Sequence, residues 1–437
     1  MVTDKIATLG RARVAVTLAF VVHGLLVAAW VARIPQIKDR LDLSEGSMGV
    51  ALLGAPIGIV IAVRFAGRIV ARRGSRATTI AAGIVCAASL IPLGLAWNIG
   101  ALILSLLLMG ASLGLMDVAM NAQGVAVERG YGRPLMSGLH GWYSIGTLVA
   151  ALIGSGAAHA DVPVPLHLTA AAAVLAALLA IGCRNLLDRS ADTLPETPPE
   201  SPLESPLETH EPPEDAREGA GAAPGPGPAV PAPPPGFPGS SRWLLIMLGV
   251  IGLCSFVGEG AMADWSAIYL REDLGTGAGA AGLGYVGCAV AMTVGRLTGD
   301  RVVARFGPVR VLRAGSLIAA LGLGFGLVAG HPVAAVAGFT VFGLGVAVVA
   351  PVTFSAAGNV PGVPAAAGIA RVTGVGYLGL LGGPPVIGFI AQGVGLTWAL
   401  AVPVGLVGLI VLLAPATATA TASPAPAPAG SAAATES

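Results

Sequence analysis

Apolar stretches of about 20 residues alternate along the chain with short polar breaks, and about 20 apolar residues is the length a helix needs to cross the hydrocarbon core of a bilayer. Such stretches fall near 14–33, 47–66, 78–96, 101–126, 136–157 and 165–183. After a long interruption they resume near 243–268, 279–298, 311–330, 332–355, 366–389 and 395–414. The pattern predicts twelve transmembrane helices in two groups of six, an all-α membrane protein. The interruption, residues 188–241, is dense in Pro, Glu and Gly and cannot bury a core. The expected organisation is a six-helix bundle over 14–185, a disordered Pro/Glu-rich linker over 186–241, a second bundle over 242–414, and a disordered tail over 415–437.

Composition sharpens the class. Charged residues make up 11% of the chain and hydrophobic residues 55%, whereas soluble domains carry roughly 25% charged residues. A soluble fold of this size lacks the residues for a polar skin. The net charge of +1 argues against nucleic acid as a partner. Cys86, Cys183, Cys254 and Cys288 each sit inside an apolar run with no C-x-x-C pair, so they are expected to be small buried hydrophobes rather than disulfide or metal ligands. No metal or other cofactor is expected. The first apolar run, Val14 to Ala32, is long enough to span and lacks a small-residue cleavage site after it, unlike a secretory signal.

Charge also orients the chain. Arg64 to Arg76, RFAGRIVARRGSR, holds five arginines in thirteen residues. Cytoplasmic loops collect Lys and Arg. With the N-terminus inside, 20 of the 24 cations fall on the inner side, Arg296 and Arg371 among them, and Arg33, Lys38, Arg40 and Arg271 on the outer side. Both termini and the linker are therefore expected in the cytoplasm, with the arginine stretch as the loop between spans two and three. A near copy recurs: RIVARRG at Arg68 matches RVVARFG at Arg301 in five of seven positions, at an offset of 233. The same offset pairs Gly141 with Gly374 and Gly146 with Gly379, and an offset of 235 pairs Trp30 with Trp265. An even number of spans per half makes the repeat parallel, with a pathway between the halves.

Two parallel six-helix repeats, a long linker, and a basic motif after spans two and eight resemble the major facilitator superfamily. The superfamily's loop signature is roughly G-x-x-x-[DE]-[RK]-x-G-[RK]-[RK]. Gly67, Arg72, Gly74 and Arg76 fit it, and Asp300, Arg301, Arg305 and Gly307 belong to the second copy. The acidic position is Ala71 here and Ala304 in the repeat, a departure that Asp300, one turn earlier, partly offsets in the second half. MDVAMNAQGVAVERG, GLHGWYSIGTL and GEGAMADW are similar to the YbjJ-type branch, a relative of the fucose permeases. The resemblance implies solute movement by alternating access, commonly driven by protons, and a monomer in the plasma or inner membrane.

Charge at the bilayer centre costs roughly 2.5–3.5 kcal/mol by insertion scales, so acids inside spans are functional candidates. At 100° per residue, Asn121 lies about 40° and Glu128 about 20° around the helix from Asp117. With Gly124 they make one polar stripe, expected to face a central cavity. A carboxyl group in a partly dry cavity can carry a proton. Fucose-permease-like transporters place a proton-coupling acid on this span, and the resemblance implies that role for Asp117; a helix-packing hydrogen bond is the alternative. Glu259 on span seven is the second such candidate, and Asp264, turned about 140° from it, is an outer-end bond or gate element. His23 and His140 titrate near neutrality as free side chains and sit on pathway-lining spans, with Tyr143 and Thr147 beside His140. Trp30 and Trp265 are candidate cavity or gate residues, though the interfacial belt also explains tryptophan at span ends.

The expected function is secondary active transport of a small solute, with protons and the lipid bilayer as further partners. Sugar-like uptake and export of a drug or metabolite both fit. The alternative is a non-transporting sensor or scaffold acting through its acidic linker. No nucleophile–base pair, metal cluster or nucleotide loop points to an enzyme.

Overall fold

A computed structural model describes residues 2–43, 45–192, 241–276, 280 and 283–420. The first half comprises α1 (Val2–Ala28), α2 (Gly54–Arg73), α3 (Ser75–Leu95), α4 (Ile99–Tyr131), α5 (Met136–His159) and α6 (Val164–Gly182). The second comprises α7 (Ser241–Ile268), α8 (Leu283–Phe306), α9 (Pro308–Val328), α10 (Pro332–Gly358, interrupted by a turn at 347–348), α11 (Ala365–Val394) and α12 (Ala401–Leu413). No strand occurs among the described residues. Eleven helices there are long and apolar enough to cross a membrane. Helix α8 is not one of the eleven. It is 24 residues long and carries Arg296, Asp300, Arg301 and Arg305.

Local chemistry sets the helix ends, and it repeats between halves. Gly74 and Gly307 join α2 to α3 and α8 to α9 at φ 84° and 79°, with ψ 154° at both. L side chains rarely adopt that conformation, so the glycine of the basic motif is a one-residue connector in each half. Asn98 caps α4 by accepting from the Ala101 amide at 2.8 Å. Its repeat mate His331 caps α10 by accepting from Val333 at 3.3 Å. An acceptor at this position satisfies one of the unpaired first-turn amides.

Packing repeats in the same way. Helix α1 lies on α5 as α7 lies on α11; α2 lies on α4 as α8 lies on α10; α3 lies on α6 as α9 lies on α12. Across the halves, α2 meets α11 and α8 meets α5. The seams are made by glycine, which lets helix backbones approach closely. A Cβ at Gly146 would lie 2.3 Å from the Val21 carbonyl of α1, and one at its mate Gly379 would lie 2.7 Å from the Leu253 carbonyl of α7. Gly146→Ala and Gly379→Ala are each expected to lower the unfolding temperature in detergent by an amount corresponding to about 1–3 kcal/mol. Gly156→Ala, with open space around it, is expected to leave that temperature unchanged or slightly raised, because alanine favours a helix over glycine.

Three sequence expectations need correction. The second span ends seven residues later than expected: Glu45–Leu52 is a separate short helix, and α2 runs to Arg73. The arginine stretch is thus not a loop. Arg64, Arg68, Arg72 and Arg73 ride on the last turns of α2, and only Gly74 connects. Arginine is a good helix former, and its long stem lets the charge reach the interface from inside a helix. Next, the linker begins later than 186. Residues Arg189–Asp192 form a 3₁₀ turn seated on the basic end of the first half. Asp192 accepts from the Ser75 amide at 2.8 Å and from the Ser75 hydroxyl, Asp188 pairs with Arg76 at 2.7 Å, and Arg189 donates to the Ala71 carbonyl at 2.6 Å. The start of the linker therefore brings carboxylates to the motif whose acidic position is Ala71. Finally, the tail begins later than 415, because Ala414–Ala420 forms a 3₁₀ helix with Ala414, Ala416, Thr417 and Ala420 buried. The rest of the expected linker and tail, 193–240 and 421–437, lies outside the described residues. All four cysteines are buried and unpaired.

Candidate functional site

A cavity of about 190 Å³ lies between the halves. Repeat-related helices supply its walls. Helices α1 and α7 contribute Phe20 with His23 and Phe256 with Glu259, at the same spacing of three. Helices α4 and α10 contribute Asp117 with Met120 and Ala350 with Phe354; α5 and α11 contribute His140 with Tyr143 and Tyr377 with Leu380; α8 adds Arg296. Spacing of three or four on a helix puts each pair on one face.

The two halves line this cavity with different electrostatics. In the second half Arg296 and Glu259 form an ion pair, Nη2 to Oε2 at 3.0 Å, with side chains 10% and 21% exposed. Ser255 donates its hydroxyl to the other Glu259 oxygen at 3.1 Å. The pair lets two charges sit inside the helices with no net charge. In the first half Asp117 is 7% exposed and, among the described residues, accepts only from Asn121 Nδ2, at 3.0 Å. The same amide also donates to the Asp117 carbonyl at 2.8 Å. Among the described residues, Asp117 thus has no cation of its own. His23 donates from Nε2 to the Leu113 carbonyl at 3.4 Å, and its Nδ1 is buried without a partner. His140 donates from Nδ1 to the Met136 carbonyl at 2.9 Å. Its ring lies 5.1 Å from Phe20 and 5.7 Å from Phe354, while that of His23 lies 5.6 Å from Tyr143.

The cavity gathers Asp117, Glu259, His23, His140 and Tyr143, five of the residues singled out from sequence. It excludes the others. Asn121 is fully buried behind Asp117. Thr147 turns its hydroxyl to the Tyr143 carbonyl at 3.1 Å in the α1–α5 seam. Trp30 is buried near the end of α1, Trp265 packs on Gly388 of α11, and Asp264 is exposed and away from the cavity. The polar stripe of α4 is split: Glu128 lies three turns from Asp117 and accepts from the Leu135 and Met136 amides at 2.7 and 3.0 Å and from the Ser355 hydroxyl of α10.

Arg296 is the principal residue the sequence reading misplaced, as a cation of the inner surface. Helix α8 ends at Phe306, so Arg296 lies ten residues, about 15 Å, inside it. The signal was present: aligning Gly307 with Gly74 extends the eighth span to residue 306 and draws Arg296 to mid-helix. The aromatic walls Phe20, Phe256, Phe354 and Tyr377 carried no such mark in a chain this apolar.

At the end of the molecule bearing the arginines, hydrogen bonds join the halves. Arg129 donates to Asn359 Oδ1 at 2.7 Å and to the Gly358 carbonyl at 2.6 Å. Asp300 of α8 accepts from the Ser137 and Gly138 amides at 2.9 and 2.8 Å, capping the N-terminus of α5, where a negative charge is favoured by the helix dipole. Of the basic-motif residues, Gly67 packs on Ala367 at the start of α11, the repeat-related crossing. Arg301 and Arg305 lie on exposed turns of α8.

Two like helical halves around a charged, aromatic-walled cavity, built from helices apolar enough to span a bilayer, define a polytopic membrane carrier. A model of the Major Facilitator Superfamily matches residues 14–269. The chain is 35% identical to an uncharacterised MFS-type transporter of Yersinia pestis, covering 93% of this chain and 94% of that one. It is 32% identical to an uncharacterised transporter of Sinorhizobium fredii, covering 86% and 90%. In structure it is similar to the E. coli fucose:proton symporter FucP, with TM-score 0.68, 17% identity, and 92% and 97% of the chains covered; that likeness is one of fold. The chain belongs to the Major Facilitator Superfamily and is a multi-pass secondary transporter. These comparisons define the superfamily rather than a branch within it.

Proposed function

We propose that this protein carries a small polar solute through the cytoplasmic membrane by alternating access, coupled to protons, with twelve spans and with the arginine-bearing end, both termini and the linker in the cytoplasm. The observation that carries the reading is the Asp117 carboxyl: it lines a cavity between the halves with, among the described residues, only an amide for a partner, opposite an ion pair that is already neutral. A carboxylate left so inside a membrane is costly, and a proton or a solute group relieves that cost. Drug-sized ligand sites run to about 300–1,000 Å³, so the 190 Å³ present favours a solute of sugar size or smaller over a bulky drug. FucP, described as a fucose:proton symporter, supports proton coupling as a working choice. The positive-inside bias supports the orientation. The cavity gives a scaffold or sensor role no support.

The test begins with thermal unfolding of the purified protein against a panel of neutral sugars, fucose first, polyols and small amines. The expected result is a rise in unfolding temperature with one small class, followed by solute-driven alkalinisation outside right-side-out proteoliposomes. Solute uptake that moves no protons would sink the coupling. A hit confined to molecules too large for the cavity would sink the site.

A further inference from the structure

We propose that Arg296 is a positioning residue of the transport cycle: its bond to Ser144 latches the two halves together beside the cavity, and release of that bond lets the basic end open. The inference rests on the carrier reading above and names how that cavity speaks to its gate.

The geometry is specific. From α8, the Arg296 side chain reaches three other helices. Nη2 donates to Glu259 of α7 at 3.0 Å, Nη1 donates to the Ser144 hydroxyl of α5 at 3.1 Å, and Nε donates to the Ala347 carbonyl at 3.4 Å, where α10 is interrupted. Glu259 and Ala347 belong to the same half as Arg296; Ser144 belongs to the other. The Arg296 carbonyl in turn accepts from the Ser137 hydroxyl at 2.8 Å, and one turn on Asp300 caps α5. The α5–α8 seam is therefore closed at successive turns of one helix. Of these ties, Arg296 to Ser144 involves a side chain that lines the cavity. A guanidinium has five N–H groups in a rigid planar fork, and three are engaged here. A solute oxygen that takes the Nη1 donor in place of the Ser144 hydroxyl turns the fork. The charged bond to Glu259 outlasts the bond to a neutral hydroxyl, so Ser144 is the partner that is lost. Occupancy of the cavity is thereby converted into loss of the first tie in the seam.

The experiment needs no transported solute. Val125 of α4 is fully buried against Gly358 of α10 across the same end of the interface, so Val125→Cys is a reporter of the gate. Its alkylation by N-ethylmaleimide is followed by peptide mass, which separates it from the four buried native cysteines. In this background Ser144→Ala is expected to label about tenfold faster, the shift that losing one hydrogen bond to a charged group gives a two-state gate. Ser144→Thr, which keeps the hydroxyl, is expected to return the rate to that of the parent. Arg296→Lys keeps a cation for Glu259 but loses the fork, and is expected to label fast without a comparable fall in unfolding temperature. Labelling of Ser144→Ala within twofold of the parent overturns the latch, and so does equally fast labelling of Ser144→Thr. A failed carrier reading would show differently, as an absence of solute-driven flux with the latch intact.

Discussion

Asp117→Asn is expected to abolish solute-driven proton movement while leaving a folded, membrane-inserted protein that still exchanges solute at equilibrium. Asparagine keeps the shape of the side chain and can still bond to Asn121, but it cannot take up and release a proton. The other cavity carboxyl, Glu259, is held by Arg296 at 3.0 Å, so it is not free to replace Asp117. The measurement uses proteoliposomes with a trapped pH dye and the solute that raises the unfolding temperature of the parent. Counterflow at equal pH on both sides should continue, and dependence of uptake on an imposed pH gradient should vanish. Proton movement at the parental rate would remove Asp117 from the mechanism and return it to the alternative of a packing hydrogen bond. Because burying the neutral amide costs less than burying a carboxylate, no loss of stability is expected. A collapse of folding would show that the carboxylate itself is structural.

The fold was legible in the sequence for a physical reason. Span length is imposed by the bilayer, and the repeat is imposed by close helix approach, which only small residues tolerate. Gly146 and Gly379 were visible as mates because each admits a backbone carbonyl where a Cβ would collide. Gly74 and Gly307 were visible because each must adopt a positive φ. The acids of the site were legible because charge inside a span demands a reason. What stayed hidden depended on three-dimensional register. Glu128 shares the face of Asp117 but serves the seam between α4, α5 and α10, because a face running the length of a 33-residue helix passes through two environments. Arg296 was hidden by an error of eight residues at one helix end, which moved it from the cavity to the surface. Phe20, Phe256, Phe354 and Tyr377 line the cavity beside other apolar residues that face lipid, and periodicity alone cannot separate the two.

Breaking the Glu259–Arg296 pair from one side is expected to cost far more than removing it entirely. Arg296→Ala leaves a carboxylate that keeps only the Ser255 hydroxyl, in a side chain 21% exposed. One-sided loss of a buried ion pair typically costs about 3–5 kcal/mol, whereas replacing both partners with apolar or neutral groups of similar volume is often near neutral. Arg296→Ala should therefore purify poorly and unfold early in detergent, and Arg296→Met with Glu259→Gln should recover most of the loss. Four proteins, the parent, Arg296→Met, Glu259→Gln and the double, close a cycle whose coupling term measures the pair directly. Additive losses would show that the two residues are not one electrostatic unit and that each is fixed by its other contacts. The recovered double variant also separates stability from gating. It lacks the donor to Ser144, so at Val125→Cys it should label as fast as Ser144→Ala even though its unfolding temperature is restored. A stable protein with an open seam is the signature of a residue that holds a conformation rather than a fold.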